Sequence, residues 1–297
     1  YCGATPIFAE VEADTGNLDP ESVAEKMTER TRAILAVHYL GLPCDMDTLG
    51  GLAERGDALL FEDCALAVGA RYDGRHVGLF GEAGCYSFYP VKHITSGEGG
   101  MFVSRHEDVV KKVANFRAFS YDKTLKERTA LGIYDVGNVG MNYRMSEMQA
   151  ALGRSQIKKI PDILSIRSAN FNALKAALGN IEDVLVLDST DPKSSNSHYC
   201  LIAVLTGTAA EKRNEIVAEL KKRQLGYSIY YPHPVPRLAY YQEKYGYNAK
   251  DFPNAAAISG GTAFPICLNT AFMRPANSNP SGKEWRRAAS RTVIVLA

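Results

Sequence analysis

Paired cysteines, runs of positive charge and long apolar stretches are all missing from this chain. Its six cysteines, at positions 2, 44, 64, 85, 200 and 267, lack the close spacing of a disulfide framework or a zinc site. No metal centre is predicted. No segment stays apolar long enough to cross a bilayer and no signal peptide is visible, so a cytoplasmic location is expected. Acidic and basic residues nearly cancel, for a formal net charge of +1. The basic groups Lys158-Lys159 and Lys221-Lys222-Arg223 read as solvated helix faces, so neither nucleic acid nor an anionic membrane is an expected partner. There is no internal repeat and no low-complexity stretch. What remains is 297 residues, enough for two domains whose core needs no staples.

Short apolar runs alternate with helical patterns, as in a βαβ domain. Strands are predicted over 7–11, 33–38, 59–60, 101–104 and 199–205, and helices over 20–30 (N-capped by Asp19), 46–55, 107–116 and 210–223. A helical stretch over 146–178, broken at Pro161, is read as the bridge between a large domain at 1–150 and a smaller one at 151–297. Gly226 is the predicted C-cap of the helix over 210–223. Cys64 and Cys85 lie in apolar strand contexts and read as small core residues.

Three segments carry chemistry. In Cys85-Tyr-Ser-Phe-Tyr-Pro-Val-Lys92-His-Ile-Thr-Ser-Gly-Glu-Gly-Gly100 one lysine ends an apolar run, five residues after Ser87. A lysine stripped of water there has a lowered pKa, which suits it to attack a carbonyl and form a Schiff base. Ala58-Leu-Leu-Phe-Glu-Asp63 is an apolar run ending in two acids, and ligands of open α/β sheets sit beyond the carboxyl ends of such strands. Gly140-Met-Asn142-Tyr-Arg144-Met-Ser146-Glu-Met-Gln149 has the capping box of a helix start, with Asn142 and Arg144 in the preceding loop. Each has a plainer reading: a solvated lysine in a turn, a helix N-cap for Asp63, and a well-capped helix.

Taken together and in order, Glu62-Asp63, Ser87 to Lys92, Gly97-Glu-Gly-Gly100 and Asn142-Tyr-Arg-Met-Ser-Glu resemble the DegT/DnrJ/StrS sugar aminotransferases. The likeness runs from about Gly3 to about Pro265 and takes in Gly3-Ala-Thr-Pro, Thr31 to Gly41 and Tyr230-Tyr-Pro-His-Pro-Val-Pro236. It implies an α/β fold of the type I pyridoxal-phosphate transferases, with a mostly parallel central sheet flanked by helices and a smaller C-terminal α/β domain. It implies pyridoxal 5′-phosphate as cofactor, held by Asp63 at the pyridine nitrogen, by Ser87 at the phosphate and by Lys92 as a Schiff base. Lys92 would also be the catalytic proton carrier, and Asn142 would reach the phosphate bound mainly by the other subunit of a homodimer with shared active sites. The implied substrates are a nucleotide-linked keto-sugar, a 4-keto-6-deoxysugar in the favoured branch, and L-glutamate as amino donor. Tyr231 and His233 resemble a substrate-facing loop, with packing beside prolines as the competing reading. Arg237 suits a bidentate contact to a diphosphate, or is a surface arginine.

Related sugar 3-dehydratases place histidine at the lysine position, so Lys92 favours transamination. A truncated non-catalytic protein or a regulator on the same fold is the remaining alternative. Three departures bear on it. Leu66 stands where the family has a Gln or His that bonds the cofactor's phenolic oxygen, and losing a donor to a charged oxygen costs roughly 1.5–3 kcal/mol. Family members begin several tens of residues earlier, with a helix N-terminus that cradles phosphate, so the chain reads as a fragment or truncated product. The tail from Cys267 to Arg287, rich in proline, asparagine and glycine, does not resemble the family's closing helix.

Overall fold

Asp19 starts the first helix by accepting the Glu21 N–H, with Pro20 in the first turn, and α1 spans Pro20–Lys26. The structure is a computed structural model that describes residues 2–123, 126–130, 132–248 and 250–259, together with the backbone of 265–268. The helix stops short of the predicted 30 because Thr31 Oγ1 takes the Thr28 N–H, a local bond that competes with another helical turn. The predicted strand over 7–11 is not one: only Val11 makes a bridge, to Leu18. This segment serves another element instead, the Glu10 carboxylate accepting the N–H groups of Asn254 and Ala255.

The central sheet is built from β1 (Ala33–Val37), β2 (Leu59–Asp63), β5 (Ala83–Ser87) and β6 (Gly100–Val103), in that order. Between β2 and β5 run the short strands β3 (Arg71–Tyr72) and β4 (Arg75–His76). β1, β2 and β5 are parallel and β6 is antiparallel, so the sheet is mostly parallel as the resemblance implied. Strand alternation sorts its side chains. Ile34, Ala36 and Leu60 pack on Met46, Leu49, Leu52 and Ala53 of α2 (Met46–Arg55), the helix joining β1 to β2. On the opposite face Leu35 is 60% exposed and Leu59 50%.

Glu62 points to the covered side and is buried with His38. Its carboxylate accepts the N–H groups of Gly78 (2.5 Å), Phe80 (2.7 Å) and Gly81 (2.8 Å), and a hydrogen bond from His38 Nε2 (3.1 Å). His38 Nδ1 accepts the Cys44 N–H at 3.1 Å, which leaves its Nε2 to carry the proton. Glycine lets the 78–81 segment come this close. A Cβ on Gly81 would lie 2.1 Å from the Leu60 carbonyl oxygen, and one on Gly84 2.3 Å from Gly78 Cα.

After β6 come α3 (Glu107–Phe116), as predicted, α4 (Glu147–Ile157) and α5 (Ile160–Leu178). The break falls at Lys158-Lys159 rather than at Pro161, which sits in the first turn of α5 where its missing N–H costs nothing. A second sheet orders β10 (Pro265–Leu268), β9 (Leu201–Leu205) and β7 (Val184–Val186), all antiparallel. The helix predicted over 210–223 is two, α6 (Gly207–Glu211) and α7 (Arg213–Lys222). Gln224, not Gly226, takes the left-handed conformation after α7. Phe171, Leu178, Ile216 and Leu220 close the core against β9. The chain ends its described course with α8 (Ala239–Tyr245), α9 (Pro253–Ser259) and the backbone of β10. Beyond Leu268 the unusual tail lies outside the described residues.

A third, small sheet in the order β4, β3 and β8 (Ser194–Ser195) links the two parts of the chain, and Leu40 and Leu66 share a core with Leu187, Tyr199, Ile202 and Ile258.

Burial alone would raise the Glu62 carboxyl, but the His38 hydrogen bond and the Gly81 and Gly78 N–H groups outweigh it and hold it below its ordinary value of 4.5. A folded pKa below the unfolded one gives stability that is full above the unfolded value and lost as pH falls towards the folded one. Urea unfolding should therefore show Glu62→Gln destabilised by roughly 3–5 kcal/mol at pH 7, with a weaker loss of stability below about pH 4.5 than the parent shows.

Candidate active site

Parallel register sets Val37, Asp63 and Cys85 in one row across the carboxyl ends of β1, β2 and β5. Alternation puts them on the face opposite α2, and Ser87, two residues past Cys85, points the same way. Asp63 is fixed at both ends: its carbonyl accepts the His38 N–H at 3.1 Å, and its Oδ1 accepts the Ala65 N–H at 2.9 Å. Among the described residues no hydrogen bond is made to Oδ2. The Ser87 hydroxyl oxygen accepts the Tyr89 N–H at 3.3 Å, which leaves its O–H to donate. Cys85 is not the core residue expected; being in this row, it is exposed, and partial desolvation of the thiol followed by the Asp63 charge pushes its pKa up.

Lys92 stands in the loop after β5, which closes on itself. Phe88 N–H bonds the Gly99 carbonyl (2.9 Å), Ser96 N–H bonds the Phe88 carbonyl (3.0 Å), and Lys92 N–H bonds the Tyr89 carbonyl (3.0 Å). Partial burial lowers the Lys92 amine from its ordinary value, and the Asp63 carboxylate pulls it part of the way back. The two groups therefore share one electrostatic environment. The amine also lies 5.7 Å from the centre of the Tyr199 ring. Next to it His93 turns inward, bonding the Ser197 carbonyl at 2.9 Å; burial, then the Arg167 charge, push its pKa down to about 3. His93 is a neutral strut.

Asp63, Ser87 and Lys92 are thus brought to one edge of the sheet. Asn142 is exposed in the segment before α4, where its Oδ1 accepts from Arg144 Nε at 3.1 Å. None of the described contacts joins it to the other three. The Ser146–Gln149 capping box forms as predicted, and Gln149 Nε2 donates to the Glu98 carbonyl, tying α4 to the loop after Lys92. Tyr231 and His233 are exposed and Arg237 is half-buried. Their segment meets the site through Tyr230, whose hydroxyl is 3.4 Å from that of Tyr199. A polar cleft of about 440 Å³, lined by Leu164, Ser168, Asp188 and Asn196 among others, adjoins the site through Ser197, the acceptor of His93.

His38, Glu62 and Cys64 form the metal-like cluster among the described residues. The Glu62 oxygens already accept four hydrogen bonds and both His38 nitrogens are engaged, so these groups are a structural anchor. His38 is thus a buried histidine with both ring nitrogens hydrogen-bonded. Leu66 is buried in the core that holds Tyr199 and offers no donor. Two residues were missed. Glu62, an acid at an inward-facing strand position, was signalled by the alternation itself. Tyr199 lies 107 residues beyond Lys92 in the chain and carried no local signal.

Residues 1–269 match the DegT/DnrJ/EryC1/StrS aminotransferase family. The chain is 32% identical over 259 residues to the spore coat polysaccharide biosynthesis protein SpsC of Bacillus subtilis (strain 168), covering 86% of this chain and 66% of that protein. It is 30% identical over 285 residues to the GDP-perosamine synthase of Escherichia coli O157:H7, covering 90% of this chain and 72% of that one. The solved structure of S. venezuelae DesV in complex with a ketimine intermediate superposes with a TM-score of 0.83 at 27% identity, over 98% of this chain and 73% of DesV. The chain thus spans just under two thirds of the length of the Bacillus relative.

Competitive labelling of amines across a pH series should find Lys92 titrating below the ordinary lysine value of 10.5. Asp63→Asn should lower it further, since the anion that favours the ammonium is gone. An unchanged titration in Asp63→Asn would show that the two groups are not neighbours.

Proposed function

The chain belongs to the DegT/DnrJ/EryC1/StrS aminotransferase family, and on that premise we propose that it is a pyridoxal-phosphate-dependent aminotransferase of nucleotide-linked keto-sugars. The acceptor would be a 4-keto-6-deoxysugar and the donor L-glutamate, in the cytoplasm, on a route to amino sugars of surface polysaccharide. The observation that carries this reading is the lysine amine whose basicity is lowered by burial and answered by one carboxylate on the same sheet edge. The relative named for GDP-perosamine supports the substrate class, and the free state of the described cysteines suits a reducing compartment.

The residues present fit pyridoxal phosphate at three points. When bound, it supplies an aldehyde that amines can capture and a pyridine ring that accepts an electron pair. Lys92 would offer the amine and, when free, would carry a proton to and from the substrate. Asp63 would hold the pyridine nitrogen in its protonated form, and Ser87 would hold the phosphate. Residues 1–150 would hold the coenzyme and 151–297 would contribute the substrate side, with Tyr231, His233 and Arg237 in contact with the sugar nucleotide.

A second copy of the chain completes the site in this reading. Val139 is 87% exposed and Met148 82%, with Tyr143 and Tyr134 also exposed nearby, a stretch of apolar surface that burial in a homodimer would remove from water. Asn142 lies within it and in this reading would reach the partner's phosphate.

Leu66 is the observation that favours a second reading, a non-catalytic or regulatory member of the family that holds the coenzyme weakly. The readings separate on the protein itself. With added pyridoxal phosphate an aminotransferase should develop the absorption of an imine, and borohydride should fix the label on the Lys92 peptide. A protein that stays colourless is the regulatory form. Lys92→Ala should lower transamination by roughly 10²–10⁴-fold, with full turnover in that variant contradicting the role assigned to Lys92.

A further inference from the structure

Tyr199 is buried and held from several sides. Its N–H donates to the Leu40 carbonyl (3.0 Å), and its own carbonyl accepts from Arg167 Nη1 (2.6 Å). Its hydroxyl meets that of Tyr230 at 3.4 Å, and His93 packs against its ring with centroids 5.5 Å apart. Lys92, by contrast, hangs on a flexible four-carbon stem in a surface loop. The electron-rich face of an aromatic ring attracts an ammonium within about 6 Å and does little for a neutral amine.

We infer that Tyr199 is a positioning residue for Lys92: its fixed ring is the seat on which the protonated amine rests, opposite the Asp63 carboxylate. Among the described residues, Asp63 at the end of β2 is the charge that acts on Lys92, His93 is neutral beside it, and the Arg167 guanidinium of α5 lies 5.9 Å from the same ring. A lysine that has released a ligand and taken up a proton is kept at the sheet edge by the ring instead of swinging into solvent. The meaning for catalysis rests on the function proposed above, but the seating itself does not, and it can be tested without coenzyme.

The experiment is carbon-13 reductive methylation of the coenzyme-free protein followed by NMR, with Lys92→Arg used to assign the Lys92 signal. In the parent, the methyl protons on Lys92 should be displaced upfield of those of exposed lysines by the Tyr199 ring current. Tyr199→Phe keeps the face and should keep both the displacement and the titration midpoint. Tyr199→Leu removes the face; the displacement should vanish and the midpoint fall by about half to one pH unit. A Lys92 signal in the parent that coincides with exposed lysines overturns the inference, whether or not the leucine variant folds. So does a leucine variant that folds and keeps the parent's midpoint. Failure to capture coenzyme would sink the aminotransferase reading and leave these outcomes untouched.

Discussion

The buried carboxylate of Glu62 is the constraint on which the rest of the site depends. Four donors converge on it, three from the backbone of 78–81 and one from His38, and they tie the end of β2 to the loop that feeds β5 and to the turn after β1. An ionised group in the core is tolerated only when its hydrogen-bonding capacity is filled in this way. Because strand residues alternate, fixing Glu62 inward fixes Asp63 outward. The chemistry on the open face is thus set by an anchor on the closed one.

From that anchor the remaining placement follows. Parallel pairing carries Asp63 into line with Cys85, and the strand delivers Ser87 and then the loop of Lys92 to the same edge. The second half of the chain supplies the far wall. His93 and Tyr199 pack together, Leu66 joins the same apolar cluster as Tyr199, and Arg167 ties α5 to the Tyr199 carbonyl. Leu66 has its place in the core shared by both halves.

Much of this was legible in the sequence. The helices over 46–55 and 107–116, the capping box at Ser146, the acidic end of β2 and the lysine loop all follow from local rules, because caps, periodicity and apolar runs are short-range signals. The failures are long-range. Segment 7–11 has strand composition but lends its Glu10 to cap α9, a contact across more than two hundred residues. Cys85 was misplaced because an apolar run does not say which face has a cover. Tyr199 was silent because a tyrosine at a strand start looks the same whether or not a lysine lies above it. Departures such as Leu66 could be seen but not interpreted until the core it enters was known.

The central claim is that one amine and one carboxylate flank a single coenzyme ring. A crystal structure of the protein with pyridoxal phosphate tests it most directly. The account requires continuous density from Lys92 Nζ to the coenzyme, with Asp63 at about 2.7–2.9 Å from the pyridine nitrogen and the phosphate towards Ser87. Coenzyme bound elsewhere, or bound with Asp63 turned away from the ring nitrogen, would contradict it.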